Sequence, residues 1–302
     1  LVRASGLEGR ALNAGRVGFT LAPRLNAVGR LSTAMRGVEL LLAEDEHTAN
    51  GIARELEELN RRRQEVDRAT LARARELLDA IDLDATYGVV LAEEGWHPGV
   101  IGIVASRIVE SCCRPTVLIA LAEGEGKGSG RSIGAFDLHG GLSECRDLLI
   151  RFGGHRSAAG VTIARENVAE FARRFDEVAR ARLKPDDLLP QLRVDLELSL
   201  AEANDGLEAV LRHFEPYGLG NPCPAILSRG VHLARPPRVV KGDALKLCLT
   251  DGQVELEAIG WEMGALAGEL DAGAALDVVY RLERDDWQGA SRLQAKLLQV
   301  RA

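Results

Sequence analysis

The sequence predicts an α/β chain with an all-β continuation: a long connecting helix, a small α/β domain, and then a small β-barrel. Three observations carry that expectation. From Thr48 to about Ala80 a proline-free stretch repeats its apolar residues at helical spacing among many charges. Residues 87–183 alternate short apolar runs with amphipathic segments, as strands alternating with helices do. Beyond the proline-bracketed break Lys184-Pro185-Asp186-Asp187-Leu188-Leu189-Pro190, the chain turns into short alternating segments separated by turn residues.

In the helical stretch the stripe is Ile52, Leu56, Leu59, Val66, Leu71 and Leu77-Leu78, and a helix of this length can join two lobes. Its triplet Arg61-Arg62-Arg63 sits among Glu55, Glu57, Glu58 and Glu65, which reads as a solvated, ion-paired face rather than a phosphate site. Tyr87-Gly88-Val89-Val90-Leu91 reads as a buried strand, and Pro98-Gly99 opens a helix carrying Val100, Ile101, Ile103, Val104 and Ile108. Pro115–Ala120 and Ala158–Ile163 read as further buried strands. Helices over about 140–150 and 166–183 complete the α/β unit. After the break, Val231–Leu233, Leu245–Leu249, Glu255–Gly260, Leu276–Leu282 and Ser291–Leu298 alternate as strands, with Asp251-Gly252 as a turn.

Length and composition fit this plan. The 302 residues, 46% hydrophobic and 27% charged, allow about two domains and exclude a disordered tail or a membrane bundle. A net charge of −7 shows no global basic excess, so any nucleic-acid site must be local. Five lysines stand against 33 arginines, and arginine is the better bidentate phosphate ligand, although a GC-rich genome yields the same bias. Cys112, Cys113, Cys145, Cys223 and Cys248 form no C-x-x-C pair, so neither a disulfide framework nor a zinc knuckle is expected; a reducing cytoplasm fits. The opening Leu1-Val2-Arg3-Ala4 lacks an initiator methionine and a signal-peptide pattern, and reads as the interior of a longer protein.

Three stretches could carry chemistry. In Phe152-Gly153-Gly154-His155-Arg156-Ser157-Ala158-Ala159-Gly160, two glycines permit close backbone approach and the histidine can hold a phosphate or a scissile group. A helix C-cap before a strand, with His155 an ordinary turn residue, explains the same letters. The glycine-rich Gly124–Ser132 places Ser129 and Arg131 two residues apart; in an extended segment they point the same way and could grip one phosphate. A flexible hairpin tip is the competing reading, and no Walker motif is present. Near the start, Arg24, Asn26 and Arg30 surround one apolar turn and would suit a phosphodiester, although solvent-facing arginines are the commoner reason for such a pattern. The six histidines form no H-E-x-x-H and no acidic cluster, and no G-x-S-x-G elbow occurs.

On these residues the chain resembles the RecJ family of single-strand-specific DNA exonucleases, in the DHH phosphoesterase superfamily. The matching blocks, in family order, are Pro23–Arg30, Gly95–Ala105, Ser129-Gly130-Arg131-Ser132 and Gly153–Gly160. Phe214-Glu215-Pro216-Tyr217-Gly218-Leu219-Gly220-Asn221-Pro222, Leu245-Lys246-Leu247, Ile259-Gly260-Trp261 and Trp287–Gln294 resemble the family's OB-fold. The resemblance divides the chain into residues 1–45, a remnant of the DHH domain; 46–82, the connecting helix; 83–186, a DHH-associated α/β domain; and 187–302, an OB-fold β-barrel that binds single strands. The superfamily's aspartate- and histidine-rich metal motifs are absent from these residues.

What the resemblance implies is the substrate-binding portion of a 5′-to-3′ exonuclease of DNA repair and recombination. Mn2+ or Mg2+ would be held by a missing N-terminal domain and none by this chain, which alone would be inactive. Ser129, Arg131 and Ser132 would grip a 5′ phosphate with help from Arg24, Asn26 or Arg30, and His155 with Gly153 and Gly154 would hold the scissile phosphate. Arg235, Arg238, Lys241 and Lys246 would contact the strand backbone, with Trp261 and Trp287 read as buried rather than stacking. Implied partners are single-stranded DNA, a single-strand-binding protein and a RecQ-type helicase, for a cytoplasmic monomer. Two alternatives stand beside it: a non-catalytic single-strand-binding or partner-docking module, and a small-nucleotide phosphodiesterase of the same superfamily.

Overall fold

The computed structural model describes all residues except 11, 32, 219, 241, 272, 286–290 and 302, together with the side chain of Leu31. The chain divides into two compact units: Leu1–Leu12 with Arg16–Pro190, and Asn13–Gly15 with Gln191–Ala302. The break between Pro190 and Gln191 falls at the end of the proline-bracketed segment singled out above.

A single turn, α1 (Ala14–Arg16), is followed in the first unit by a π-helical turn at Val17–Leu21, then α2 (Ala22–Leu31), α3 (Met35–Leu42) and α4 (Glu46–Asp79). Asp45 starts α4 firmly, its carboxylate accepting from the Thr48 amide at 2.8 Å. With no proline to stop it, α4 runs 34 residues, about 50 Å at 1.5 Å per residue. Ile52 and Leu56 near its start pack with Val28 of α2, whereas Ala74 and Leu78 near its end pack with Val89, Leu91, Val104 and Ile108. The region between Pro23 and Arg30, read above as one apolar turn, is thus a helix, on which Asn26 and Arg30, four residues apart, share a face while Arg24 leaves on another.

The rest of the unit is a five-stranded sheet, ordered β1 (Val89–Glu94), β2 (Thr116–Leu121), β3 (Glu125–Arg131), β5 (Ala158–Ala164), β4 (Leu149–Gly154). β1 and β2 are parallel and joined through α5 (Ile101–Cys112); the other pairings are antiparallel. One face carries α5, against Leu118 and Ala120. The other carries α6 (Leu138–Ser143) and α7 (Val168–Arg182), whose Leu138, Phe171 and Phe175 pack on Val117, Ile119, Val161 and Ile163. β2, covered on both sides, is buried at five consecutive positions.

Two expectations need correction here. The helix placed over 140–150 stops at Ser143, and Leu149–Gly154 is strand β4; its Leu149 and Phe152 pack in the same core as Leu142, so burial did not distinguish helix from strand there. The glycine-rich stretch is no loose tip but strand β3. Its alternate glycines face the packed side of the sheet, where a methyl on Gly126 would come within 2.5 Å of Ile119, one on Gly128 would strike Val161, and one on Gly130 would come within 3.0 Å of Leu138. Glu125, Lys127, Ser129 and Arg131 are therefore directed to the other face.

The second unit is a seven-stranded sheet in the order β6 (Leu196–Glu197), β7 (Ile226–Leu233), β11 (Leu276–Asp285), β12 (Arg292–Arg301), β10 (Glu255–Gly260), β9 (Ala244–Thr250), β8 (Arg238–Val240). β9 also pairs with β7 through His232↔Thr250 and Leu233↔Leu249, so five strands pair in a ring. Alternate residues such as Leu245, Leu247, Val278, Tyr280, Ala295 and Leu297 fill its interior. The sequence reading missed the start of β7, the short β6 and β8, and helix α8 (Asp205–Arg212), which Asn204 caps by accepting from two backbone amides. Trp261, expected to be buried, is 57% exposed. Trp287 and Lys241 lie outside the described residues. No described helix is long and apolar enough to cross a membrane.

Candidate functional site

Ser129 and Arg131 share one face of β3 and meet the first turn of α5. Two glycines make the approach possible. A Cβ on Gly102 would lie 2.8 Å from Ser129 Oγ and 3.0 Å from Arg131 Nη2; one on Gly99 would lie 2.5 Å from the carbonyl oxygen of Arg30. Arg30, at the end of α2, donates from Nη1 to the Gly99 carbonyl at 3.0 Å, and the Gly99 amide donates to His97 Nδ1 at 3.0 Å. The close approach of α2 to the turn before α5 thus sets Arg30 near Arg131.

Arg131 is half-buried. It donates to Ser129 Oγ at 3.2 Å and to the Gly130 carbonyl at 2.8 Å. Burial first, and the neighbouring Arg30 charge second, lower its pKa below the ordinary guanidinium value. Among the described residues neither Arg30 nor Arg131 is paired with a carboxylate. Two neighbouring guanidiniums without a counter-ion, beside a hydroxyl and the positive end of α5, form a ready receptor for an anion.

The Gly153-Gly154-His155 block reaches the same face through strand register. Ser129 pairs with Gly160 and Gly160 with Gly153; Arg131 pairs with Ala158, whose carbonyl accepts from the His155 amide at 2.8 Å. At about 4.8 Å per strand, His155 and Gly153 stand about 10 Å from Arg131 and Ser129. The two glycines are glycine for different reasons. Gly154 has φ +145° and a Cβ there would strike the Ala158 backbone, whereas Gly153 has nothing within 4 Å and leaves the surface open. The turn after His155 is tied down, since the carbonyls of Arg156 and Ser157 accept from the amides of Leu138 and Ser132 at 2.9 and 3.1 Å. The imidazole of His155 is exposed.

The other candidates divide. Arg24 is closed off: its Nε and Nη2 donate to Glu57 and its Nη1 to the Thr20 carbonyl. Asn26 is exposed, one helical turn before Arg30 on the same face of α2. Ser132 Oγ donates to the Phe136 carbonyl at 2.9 Å, which holds a turn. In the second unit Arg235 pairs with Glu255 at 2.8 Å and Lys246 with Glu257 at 3.2 Å, so carboxylates already compete for both cations; Arg238 is exposed. Sequence reasoning missed Lys127 and Arg151, which share a register row across Thr162 on the face of Ser129; the alternation of β3 was the available signal. Among the described residues no three of His, Cys, Asp and Glu converge in a metal-ligating group.

Two family descriptions match the chain, the DHHA1 domain over residues 84–181 and the RecJ OB domain over residues 194–299. The chain is similar to the single-stranded-DNA-specific exonuclease RecJ of Bacillus subtilis, 35% identical over 297 residues that make up 97% of this chain and 38% of that protein. The crystal structure of RecJ in complex with Mn2+ from Thermus thermophilus superposes with a TM-score of 0.84 at 32% identity, covering 100% of this chain and 43% of that one. The Mg2+ complex from the same organism matches at 0.84 and 31%, covering 99% and 46%. The chain spans between about two fifths and about half the length of the curated relatives it matches. By its α/β unit, its OB-fold sheet and a likeness running along its whole length, the chain belongs to the RecJ family.

Proposed function

We propose that this chain is the substrate-gripping portion of a 5′-to-3′ single-strand-specific DNA exonuclease. The observation that carries the reading is the half-buried Arg131, held against Ser129 and beside Arg30 with no carboxylate among the described residues to neutralise either guanidinium. Arg131, Ser129 and Arg30 hold the terminal 5′ phosphate. The open glycine surface at Gly160 and Gly153 lets the strand lie close to the sheet, and His155 with the adjoining backbone holds the phosphodiester beside it. The RecJ OB unit binds the strand by backbone charge, Arg238 and the exposed Trp261 being its available contacts.

Divalent ions supply water activation and leaving-oxygen stabilisation in such hydrolyses. The residues described here do not assemble a site for them, so this chain holds and orients phosphates and no metal step is assigned to it. The five cysteines are free thiols, which suits the cytoplasm as its setting.

The test is hydrolysis of a 5′-phosphorylated single strand with Mn2+, by the chain alone and by the chain joined to the aspartate- and histidine-rich lobe of a RecJ relative. Hydrolysis is expected only from the joined protein, and binding with 5′-phosphate preference from both. Hydrolysis by the chain alone would overturn the division of labour. Single-strand binding indifferent to the 5′ end, with no hydrolysis from either, would instead favour a non-catalytic binding module.

A further inference from the structure

The face of the sheet that carries Ser129 and Arg131 continues past them. Ala159, Val161 and Ile163 of β5 and Phe152 of β4 pack in the core on the opposite side, so the residues that alternate with them share the face of Ser129 and Arg131. To this face β5 contributes only Ala158, Gly160, Thr162 and Ala164, and β4 contributes Arg151 and Gly153. Helix α5 packs over β2 and meets β3 at Ser129 and Arg131. Lys127 of β3, and Gly160, Gly153 and Arg151 on the next two strands, are exposed.

Strand register sorts this surface into rows. Ser129, Gly160 and Gly153 make one row; Lys127, Thr162 and Arg151 make the next. Successive rows on one face are two residues apart, about 7 Å at 3.4 Å per residue. The second row therefore sets two cations about 10 Å apart, across two strand spacings, with a hydroxyl between them. Among the described residues the side chains of Lys127, Thr162 and Arg151 have neither a hydrogen bond nor a carboxylate partner. The cations around them are neutralised: Arg165 pairs with Glu94 and Arg174 with Asp147. One row further along β3, Glu125 stands opposite Ala164 and reverses the charge.

A row of this kind takes an anion with several acceptor oxygens, the arginine as a bidentate fork and the lysine as a point charge. Both stems are long enough to bring their charges over the small Thr162. We propose that Lys127, Thr162 and Arg151 hold the phosphodiester that follows the scissile one, toward the 3′ end of the strand. Arg131 and Ser129 take the terminal phosphate, Gly153 and His155 the scissile one, and Arg151 stands one row beyond Gly153 on the same strand, about 7 Å away, a step that one nucleotide of an extended strand spans. The basic row stands on register and face alone, whereas its assignment to this phosphate rests on the function proposed above. The contact exists only for strands of three or more nucleotides, so the row favours them over dinucleotides.

The test is calorimetric titration of the chain with 5′-phosphorylated thymidine di- and trinucleotides, which carry one and two diesters beyond the terminal phosphate. The trinucleotide is expected to bind at least tenfold tighter. Lys127→Ala and Arg151→Ala should each remove most of that advantage, leave dinucleotide affinity within twofold, and flatten the dependence of log K on log salt for the trinucleotide by about 0.7. Both residues are exposed, so circular dichroism should not change. An advantage that survives in either variant overturns the row, as does a variant that weakens the dinucleotide equally. If the unsubstituted chain gains nothing from the third nucleotide but still prefers a 5′-phosphorylated to a 5′-hydroxyl dinucleotide, only this row falls. If that preference is missing too, the nucleic-acid reading falls with it.

Discussion

Replacing Gly102 with alanine should loosen the grip on a 5′ phosphate without weakening the fold. A Cβ there would lie 2.8 Å from Ser129 Oγ and 3.0 Å from Arg131 Nη2. Ordinary contact begins near 3.4 Å, so the hydroxyl must yield about 0.6 Å and the guanidinium about 0.4 Å, enough to take a well-formed hydrogen bond beyond its effective range. A hydrogen bond to a charged group contributes about 1.5–3 kcal/mol, and each 1.4 kcal/mol is about tenfold in affinity. Binding of a 5′-phosphorylated strand should fall roughly ten- to a hundredfold. Alanine is also the better helix former by about 1 kcal/mol, which offsets the local crowding and keeps the melting temperature from dropping far. Fluorescence anisotropy on 5′-phosphorylated and 5′-hydroxyl oligonucleotides, with thermal melts alongside, reads both quantities. A folded variant whose preference for the phosphorylated end is unchanged would refute the placement of Ser129 and Arg131 around the phosphate.

Gly99→Ala should behave in the opposite way, because its Cβ would meet the Arg30 carbonyl at 2.5 Å and backbone cannot swing aside: a loss of about 1–3 kcal/mol, seen as a lower melting temperature. Gly154→Ala should cost about 1–3 kcal/mol through its φ of +145°, whereas Gly153→Ala, with nothing within 4 Å, should leave stability within about 0.5 kcal/mol and reduce strand binding instead. Cys145 is fully buried, and burial pushes its thiol up to about 11 from an ordinary 9.0. The folded state thus favours the protonated thiol, and the stability linked to it is complete below pH 9 and lost as pH rises toward 11. Cys248, Cys112 and Cys223 are pushed up as well, so denaturant melts between pH 8 and 11 should decline in the unsubstituted chain and by about 2–3 kcal/mol less in Cys145→Ala.

The legible parts of the fold were those where one physical signal dominated. α4 declared itself because 34 residues without proline kept a single apolar stripe, and β2 because burial on both faces required a continuous apolar run. β4 was misread because its six residues are too few to show a period and follow a helical segment directly. The site was half legible. Ser129 and Arg131 follow from alternation in an extended segment, and Gly153-Gly154-His155 from its composition. That the two blocks meet depends on strand register, which local sequence does not encode. Arg24 resembled Arg30 on paper; Glu57, 33 residues away on α4, separates them in space. On α4 the flanking charges disguised burial as surface: Asn60 and Asp67 lie on the stripe of Leu56 and Ala74, and Arg63 of the arginine triplet is turned inward beside them.

The most direct measurement of the central claim is a crystal structure of the chain with a short 5′-phosphorylated single strand. The account predicts the terminal phosphate within hydrogen-bond distance of the Arg131 guanidinium and Ser129 Oγ, with the strand passing over Gly160 and Gly153 toward His155. A terminal phosphate bound elsewhere, with Arg131 still joined only to Ser129 and the Gly130 carbonyl, would contradict it.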